Sequence, residues 1–236
     1  MQQSFTIFSL GDSALTVDFG NTINDRINQK VLQLFHAIQE LSLPFIKDVV
    51  PAYSSLAIYY NAPALHSHQK TAFETVQDLI TSLLKNEEPT ITIQNRTIRI
   101  PVCYGEKFAL DLKELALQKN LSTEEIIHLH TAKIYRVYMI GFLPGFAYMG
   151  KVDERIATPR KSNPRTSIEA GSVGIAGEQT GIYPLASPGG WNIVGKTPLQ
   201  LFDKNKEHPV LLQSGDEVNF YSITEDEFEN YQGRHS

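Results

Sequence analysis

Hydrophobic and polar positions change their period several times along the first third of the chain. Residues 4–19, SFTIFSL and then ALTVDFG, alternate on either side of Gly11-Asp12, which predicts a β-hairpin. Ile27, Val31, Leu34, Ile38 and Leu41 then recur at three- and four-residue spacings, one face of a helix capped by Asn24 or Asp25. FIKDVV and SLAIYY read as two further strands parted by Pro51. Phe73, Val76, Leu79, Ile80, Leu83 and Leu84 form the inner stripe of a second helix over about 65–86. The order ββαββα predicts a small α+β N-terminal domain over residues 1–88, with its helices on one side of a sheet. The polar run Lys85-Asn86-Glu87-Glu88-Pro89 is the candidate linker.

Residues 89–236 carry a different pattern. ITIQNRTIRIPVCY reads as a hairpin turning at Asn95-Arg96. Two short helices follow, DLKELALQKN and a segment opened by Ser122 with Glu125 three residues on, a capping box. From Ile134 onward short runs (IYRVYMIG, GSVGIAG, GIYPL, WNIVG, LQLFD, PVLLQ, EVNFYSI) are bounded by Gly, Pro, Asn or Asp. Many short, evenly bounded strands predict a mainly-β, closed or nearly closed barrel with a pair of small helices. Residues after about 224 read as a solvated acidic tail.

Composition adds limits rather than identity. A chain of 236 residues can form one large or two small domains, and its net charge of −5 argues against a general nucleic-acid surface. Cys103 is the single cysteine, which excludes an internal disulfide and fits a reducing cytoplasm. No apolar run approaches about 18 residues and no basic-then-apolar start is present, so neither a membrane span nor a signal peptide is expected.

Glycine and proline crowd between Tyr138 and Leu201, among Arg160, Arg165, Gln179, Tyr183, Ser187 and Trp191. Such density specifies rigid corners, and rigid corners with polar and aromatic tips suit a small-molecule site. A β-rich domain with many tight turns is the plainer reading. Gly190-Trp191-Asn192-Ile193-Val194-Gly195-Lys196-Thr197 satisfies the phosphate-loop pattern, but no buried strand precedes it and no convincing helix follows, so the pattern is set aside. The helix pair around Asn120-Leu121-Ser122 imitates a helix-turn-helix, yet its second helix opens Thr123-Glu124-Glu125, which would repel a nucleic-acid backbone. His128 and His130 cannot chelate one ion from a helix, and His66 with His68 lack further ligands, so no metal is expected. His130 is either a candidate acid or base or a satisfied structural histidine. Arg160 and Arg165 each follow a proline in TPRKSNPR and suit an anionic ligand, two solvated surface arginines being the alternative. Asp216 reads as a turn residue before the last strand.

The strings VPAYSSL (50–56), IPVCYG (100–105), HTAKIYRVYM (130–139), GFLPGFAYMG (141–150), TPR (158–160), AGSVGIAG (170–177) and QTGIYPLASPGGWNIVGKTPLQLFD (179–203) carry a family resemblance. The chain resembles the B-subunit family of bacterial ATP-dependent 5-oxoprolinase, also named allophanate hydrolase subunit 1, which includes the Kip inhibitor of a sporulation histidine kinase. That resemblance implies an α+β domain followed by a cyclophilin-like barrel over 89–236. It implies ATP-dependent opening of 5-oxo-L-proline (pyroglutamate) to L-glutamate together with two partners, the C and A subunits. It also admits a histidine kinase as partner, or a urea-derived carboxylated substrate. ATP would be bound by the complex, in the cytoplasm, without nucleic acid or membrane. On this footing His130, Arg160 and Tyr104 are the candidate catalytic residues. Lys196, Gln179, Tyr183, Gly189, Gly190, Trp191 and Phe142 are the candidate substrate-binding residues, all expected around one shared hollow.

Overall fold

The computed structural model describes residues 5–65, 69–85 and 96–231. His66, His68, most of the candidate linker and Asn95 lie outside the described residues. The chain divides into two compact units, Met1–Gln94 and Asn95–Ser236.

The first unit runs β1 (Thr6–Ser9), β2 (Ala14–Asp18), α1 (Asp25–Glu40), β3 (Ile46–Pro51), β4 (Ser55–Tyr60), α2 (Ala62–Leu65) and α3 (Ala72–Lys85). Its strands form an antiparallel sheet in the order β1-β2-β4-β3. Leu15 pairs with Ile58 and Val17 with Leu56, so the period of two turns all four toward one face, where Val31, Leu34, Ile38, Val76 and Ile80 meet them. Asn24 caps α1, its side chain accepting from the amides of Arg26 and Ile27. Leu41, expected on the inner stripe, is exposed because the helix ends at Glu40 and leaves it as the C-cap. Asn28 takes a buried place instead, its amide donating to the carbonyls of Ala52 and Tyr53.

The second unit opens with β5 (Thr97–Cys103), α4 (Leu112–Lys119) and α5 (Thr123–Thr131). It continues through β6 (Ile134–Ile140), β7 (Ala147–Gly150), β8 (Arg165–Ile168), β9 (Ser172–Ala176) and β10 (Gln179–Ile182). Next come β11 (Ser187–Gly189), β12 (Asn192–Lys196), β13 (Glu217–Ile223) and α6 (Glu225–Glu229). Seven strands close a barrel in the order β10-β7-β6-β13-β5-β12-β9, while β8 and β11 pair separately. The β13–β5 pairing is parallel, from Glu217 opposite Thr97 to Ile223 opposite Cys103. The first arm of the hairpin expected at Asn95-Arg96 lies outside the described residues; the second is β5, which pairs with β13 and, at Cys103, with β12, and Arg96 grips Asp216 through two hydrogen bonds of 2.8 and 2.6 Å. Asp216 also accepts the Gln213 amide, the turn role read from sequence.

Val102, Val137, Met149, Val173, Ile175 and Val194 fill the barrel, joined by Leu112 and Leu115 of α4 and Ile126 and Leu129 of α5. Both parts of the capping box at Ser122 and Glu125 are formed. Two expectations change. LQLFD and PVLLQ form no ladder; an isolated bridge joins Phe202 to Val210, and burial of Leu201 and Leu212 anchors the segment instead. WNIVG, by contrast, forms the strand expected of it, β12, and the phosphate-loop pattern set aside from sequence is β structure. The acidic residues after 224 fold into α6 through a Thr224–Glu227 capping box, with Phe228 packed on Phe108 at 4.3 Å and Glu229 paired with Lys107.

Candidate functional site

The loop bearing Arg160 is pinned on both sides. Thr158 and Gly177 exchange backbone hydrogen bonds of 3.1 and 2.6 Å, and the Asn192 side chain donates to the Pro159 carbonyl at 2.8 Å. The Lys161 amide donates to Gly190 at 2.7 Å. Further on, Asp111, 2% exposed at the start of α4, ties the loop to the barrel. Its carboxylate accepts both terminal nitrogens of Arg165 (2.8 and 2.7 Å), Lys161 Nζ (2.9 Å) and the Ile193 amide (2.7 Å). Burial pushes the Asp111 pKa up, but hydrogen bonds from Arg165, Lys161 and Ile193 outweigh it and hold the carboxyl below its ordinary value. Arg165 is thereby a structural clamp rather than a ligand arginine. Arg160 differs: its side chain is exposed and has no hydrogen bond or ion pair among the described residues.

Within electrostatic reach of Arg160 lies an aromatic cluster on the outside of the barrel, with Phe146, Tyr183 and Trp191 buried and Phe142 exposed. Phe146 is its centre, with ring centroids of Tyr148, Tyr183, Trp191 and Phe142 at 4.8, 5.3, 5.4 and 5.8 Å. Burial raises the Tyr148 and Tyr183 hydroxyl pKa values, and the Arg160 charge pulls against that at both, so the guanidinium lies within electrostatic reach of each phenol. Two glycines facing each other in register, Gly174 on β9 and Gly181 on β10, make the floor. A Cβ on Gly181 would sit 3.0 Å from the Trp191 ring and 3.1 Å from Phe146, and one on Gly174 would sit 3.0 Å from Trp191 Cβ. Bare backbone is what lets the indole lie on the sheet. Gly189 is similarly required, since a Cβ there would come within 2.3 Å of the Tyr183 hydroxyl. Phe142 stands at φ 69° and is 65% exposed, an uncommon conformation for a bulky residue and one that presents the ring outward.

His130 and Tyr104 lie elsewhere, and this corrects the expectation of one hollow. Strand alternation sends Thr180 into the barrel and Gly181 outward; His130 meets the first, Trp191 the second. The Tyr104 hydroxyl is 2.7 Å from His130 Nδ1, and His130 Nε2 is 2.9 Å from Thr180 Oγ1. Thr180 donates to the Gly174 carbonyl at 3.0 Å, so its oxygen accepts from Nε2–H, and Nδ1 accepts from Tyr104. Phe220 stacks on the imidazole at 4.8 Å, and Tyr135 donates to the His130 carbonyl at 2.8 Å. The candidate acid or base is a fully satisfied core histidine behind the wall that carries the aromatic face. Burial lowers its pKa from 6.5 to about 3. Because the folded value is the lower one, its stabilising contribution is complete above pH 6.5 and is lost as pH falls toward about 3. The slope should approach about 1.4 kcal/mol per pH unit in that window. Denaturation curves across the same range should show this part of the slope vanish in His130→Gln, whatever the variant's overall stability.

Lys196 is also relocated. It pairs with Glu169 and lies 5.7 Å from the centre of Phe108, so its charge is already met by a carboxylate. Gln179 opens β10 opposite Gly150 and Ala176, half-buried. Gly190 contributes its carbonyl to the Arg160 loop rather than a donor. The former phosphate-loop string offers no cradle for a triphosphate: a Cβ on Gly195 would lie 2.7 Å from Val102 and 2.9 Å from the Cys103 carbonyl, so packing fills the space. Sequence reasoning missed Asp111, Phe146, Tyr148, Gly174 and Gly181. Alternate glycines within the strands of GSVGIAG and QTGI were the available signal for the floor.

No group of three or more His, Cys, Asp or Glu with metal-site geometry occurs among the described residues, and no helix there is long and apolar enough to cross a membrane. The carboxyltransferase domain, subdomain C and D, matches residues 5–212, which defines the class of protein. The chain is 42% identical to the 5-oxoprolinase B subunit of Bacillus subtilis (strain 168) over 98% of each sequence. It belongs to the B-subunit family of 5-oxoprolinases. Among solved structures, TTHA0988 superposes with TM-score 0.77 and 36% identity over 89% of this chain, which spans 40% of that longer one. The Kluyveromyces lactis urea carboxylase shares the fold at TM-score 0.74 and 19% identity, over 95% of this chain and 22% of its own.

Proposed function

We propose that this chain is the B subunit of a multi-protein 5-oxoprolinase that opens 5-oxo-L-proline to L-glutamate at the expense of ATP, and that its outer aromatic face receives the substrate. The observation that carries the reading is Arg160: its backbone is pinned on both sides, and its guanidinium stays unengaged within electrostatic reach of Tyr148 and Tyr183. 5-Oxoproline is a small ring with an apolar edge and one carboxylate. A planar cation for the carboxylate, with the exposed Phe142 ring and half-buried Tyr148 ring for the ring methylenes, matches that chemistry. The name carried by the Bacillus subtilis relative supports the assignment.

A lactam resists water because its amide is resonance-stabilised, and ATP serves to make its carbonyl oxygen a leaving group. The phosphate-loop string of this chain is packed β structure, and we assign nucleotide binding to the partners, the C and A subunits. This chain's part is to hold and orient the acid end of the substrate. Phe146, Tyr183 and Trp191 are already buried, so the substrate would meet exposed Phe142 and Arg160 and half-buried Tyr148, where closure by a companion would exclude water and strengthen the Arg160 contact. Co-purification with the C and A subunits, followed by phosphate release with and without 5-oxoproline, tests the assignment. The assembly should show 5-oxoproline-dependent release and the isolated chain none. Turnover by the isolated chain would overturn the shared site, and preference for a carboxylated urea would overturn the substrate.

A further inference from the structure

The first unit holds a cavity of about 580 Å³ that the chemistry above does not use. It opens between the end of β1, the β1–β2 turn, the end of β4, α2 and the first turn of α3, with Ser9, Asp12, Tyr60, Pro63, Thr71 and Phe73 in its lining. Tyr60 is the informative residue. It is 1% exposed, its ring belongs to the core of the unit, and no hydrogen bond among the described residues reaches its hydroxyl. The hydroxyl is not sealed from the cavity that Tyr60 lines, so a group there would give it a partner. Burial, with the Asp12 carboxylate adding to it, raises the phenol pKa and keeps the hydroxyl a donor.

The two ends of the cavity differ in charge. On one side stands Asp12, on an exposed turn made possible by Gly11 at φ 70°, with no cation paired to it among the described residues. On the other side is the start of α3, a helix of 14 residues. Thr71 and Glu74 satisfy each other there: the Glu74 carboxylate accepts the Thr71 amide at 2.7 Å, and Thr71 Oγ1 accepts the Glu74 amide at 3.2 Å. The amides of Ala72 and Phe73, both in the cavity lining, are first-turn donors with no acceptor among the described residues. Lys70 is engaged by Asp78, so it does not neutralise Asp12.

We propose that this cavity binds a small zwitterion, a free α-amino acid. Its ammonium would sit on Asp12 and Ser9, and its carboxylate on the Tyr60 hydroxyl and the Ala72 and Phe73 amides. The side chain would lie against Pro63 and the Phe73 ring. The site is independent of Arg160 and of the reading given for the second unit.

Isothermal titration of the full chain with the common free amino acids, one at a time, tests this. At least one should bind saturably at one site per chain. Its N-acetyl and its amide forms, each lacking one charge, should bind about tenfold more weakly or worse, as loss of a charge-assisted hydrogen bond requires. Asp12→Asn, on an exposed turn, and Tyr60→Phe, which keeps the ring, should each weaken binding about tenfold, while Arg160→Ala leaves it unchanged. Absence of saturable binding by every amino acid overturns the proposal. So does binding that survives both first-unit variants, or that is lost with Arg160 alone.

Discussion

Asp111→Ala is expected to destabilise the barrel unit by about 3 kcal/mol, the low end for breaking a buried ion pair. The lower figure applies because Arg165 and Lys161 are partly exposed and can turn to water. The Ile193 amide, buried in β12, cannot, and it loses the acceptor that Asp111 supplied at 2.7 Å. Urea denaturation followed by Trp191 fluorescence would read the loss directly, since the indole reports on this unit. The double variant with Arg165→Ala should cost less than the sum of the two single changes, because each single change strands the other partner. Asp111 has a folded pKa below its ordinary value, so its contribution is present above the usual carboxylate range and is lost as pH falls through the depressed value. Additive losses in the double variant would show that the two residues do not act as a pair.

Arg160→Ala should give the opposite signature from a position on the same loop. Stability should stay within about 0.5 kcal/mol of the parent, since an exposed and unpaired side chain is removed. In the assembled complex, kcat/KM for 5-oxoproline should fall about thirty- to hundredfold, the equivalent of 2–3 kcal/mol of charge-assisted hydrogen bonding. The loss should fall mainly on KM, because the carboxylate keeps its charge throughout the reaction. Arg160→Lys should recover part of it, as a point charge without the planar fork. Glutamate formation at varied 5-oxoproline gives both constants. Wild-type kcat/KM in Arg160→Ala would remove the arginine from the binding site.

Why the sequence showed some of this and hid the rest follows from how far apart the interacting residues are. Val31, Leu34 and Ile38 announce their helix face because the spacing is local, and Ser122 announces its cap because Glu125 is three residues away. The barrel was legible as a succession of short bounded strands, though not its pairing. Leu199-Gln200-Leu201-Phe202-Asp203 alternates as a strand does, yet its neighbours anchor it by buried side chains and a lone bridge. Asp111 was read as the opening of a helix, which it is, but its side chain reaches 54 positions along the chain to Arg165. No local pattern records such a contact. The basic run in TPRKSNPR without a local acid was the trace it left. The face of a residue in a closed barrel was harder still: neighbouring Thr180 and Gly181 belong to opposite environments, so one string of site-like residues was divided by the wall it formed.

The parallel match of β5 with β13 has a bearing on how the second unit comes into being. The first and last strands of its barrel are direct neighbours, bridged as well by Arg96 and Asp216 across 120 positions. During synthesis, β5 must therefore wait for both of its barrel neighbours, β12 and β13, until most of the unit has left the ribosome, and an unsatisfied edge invites pairing with other chains. Proline at position 101 within β5, which lacks an amide hydrogen, makes that waiting strand a poorer template for foreign partners.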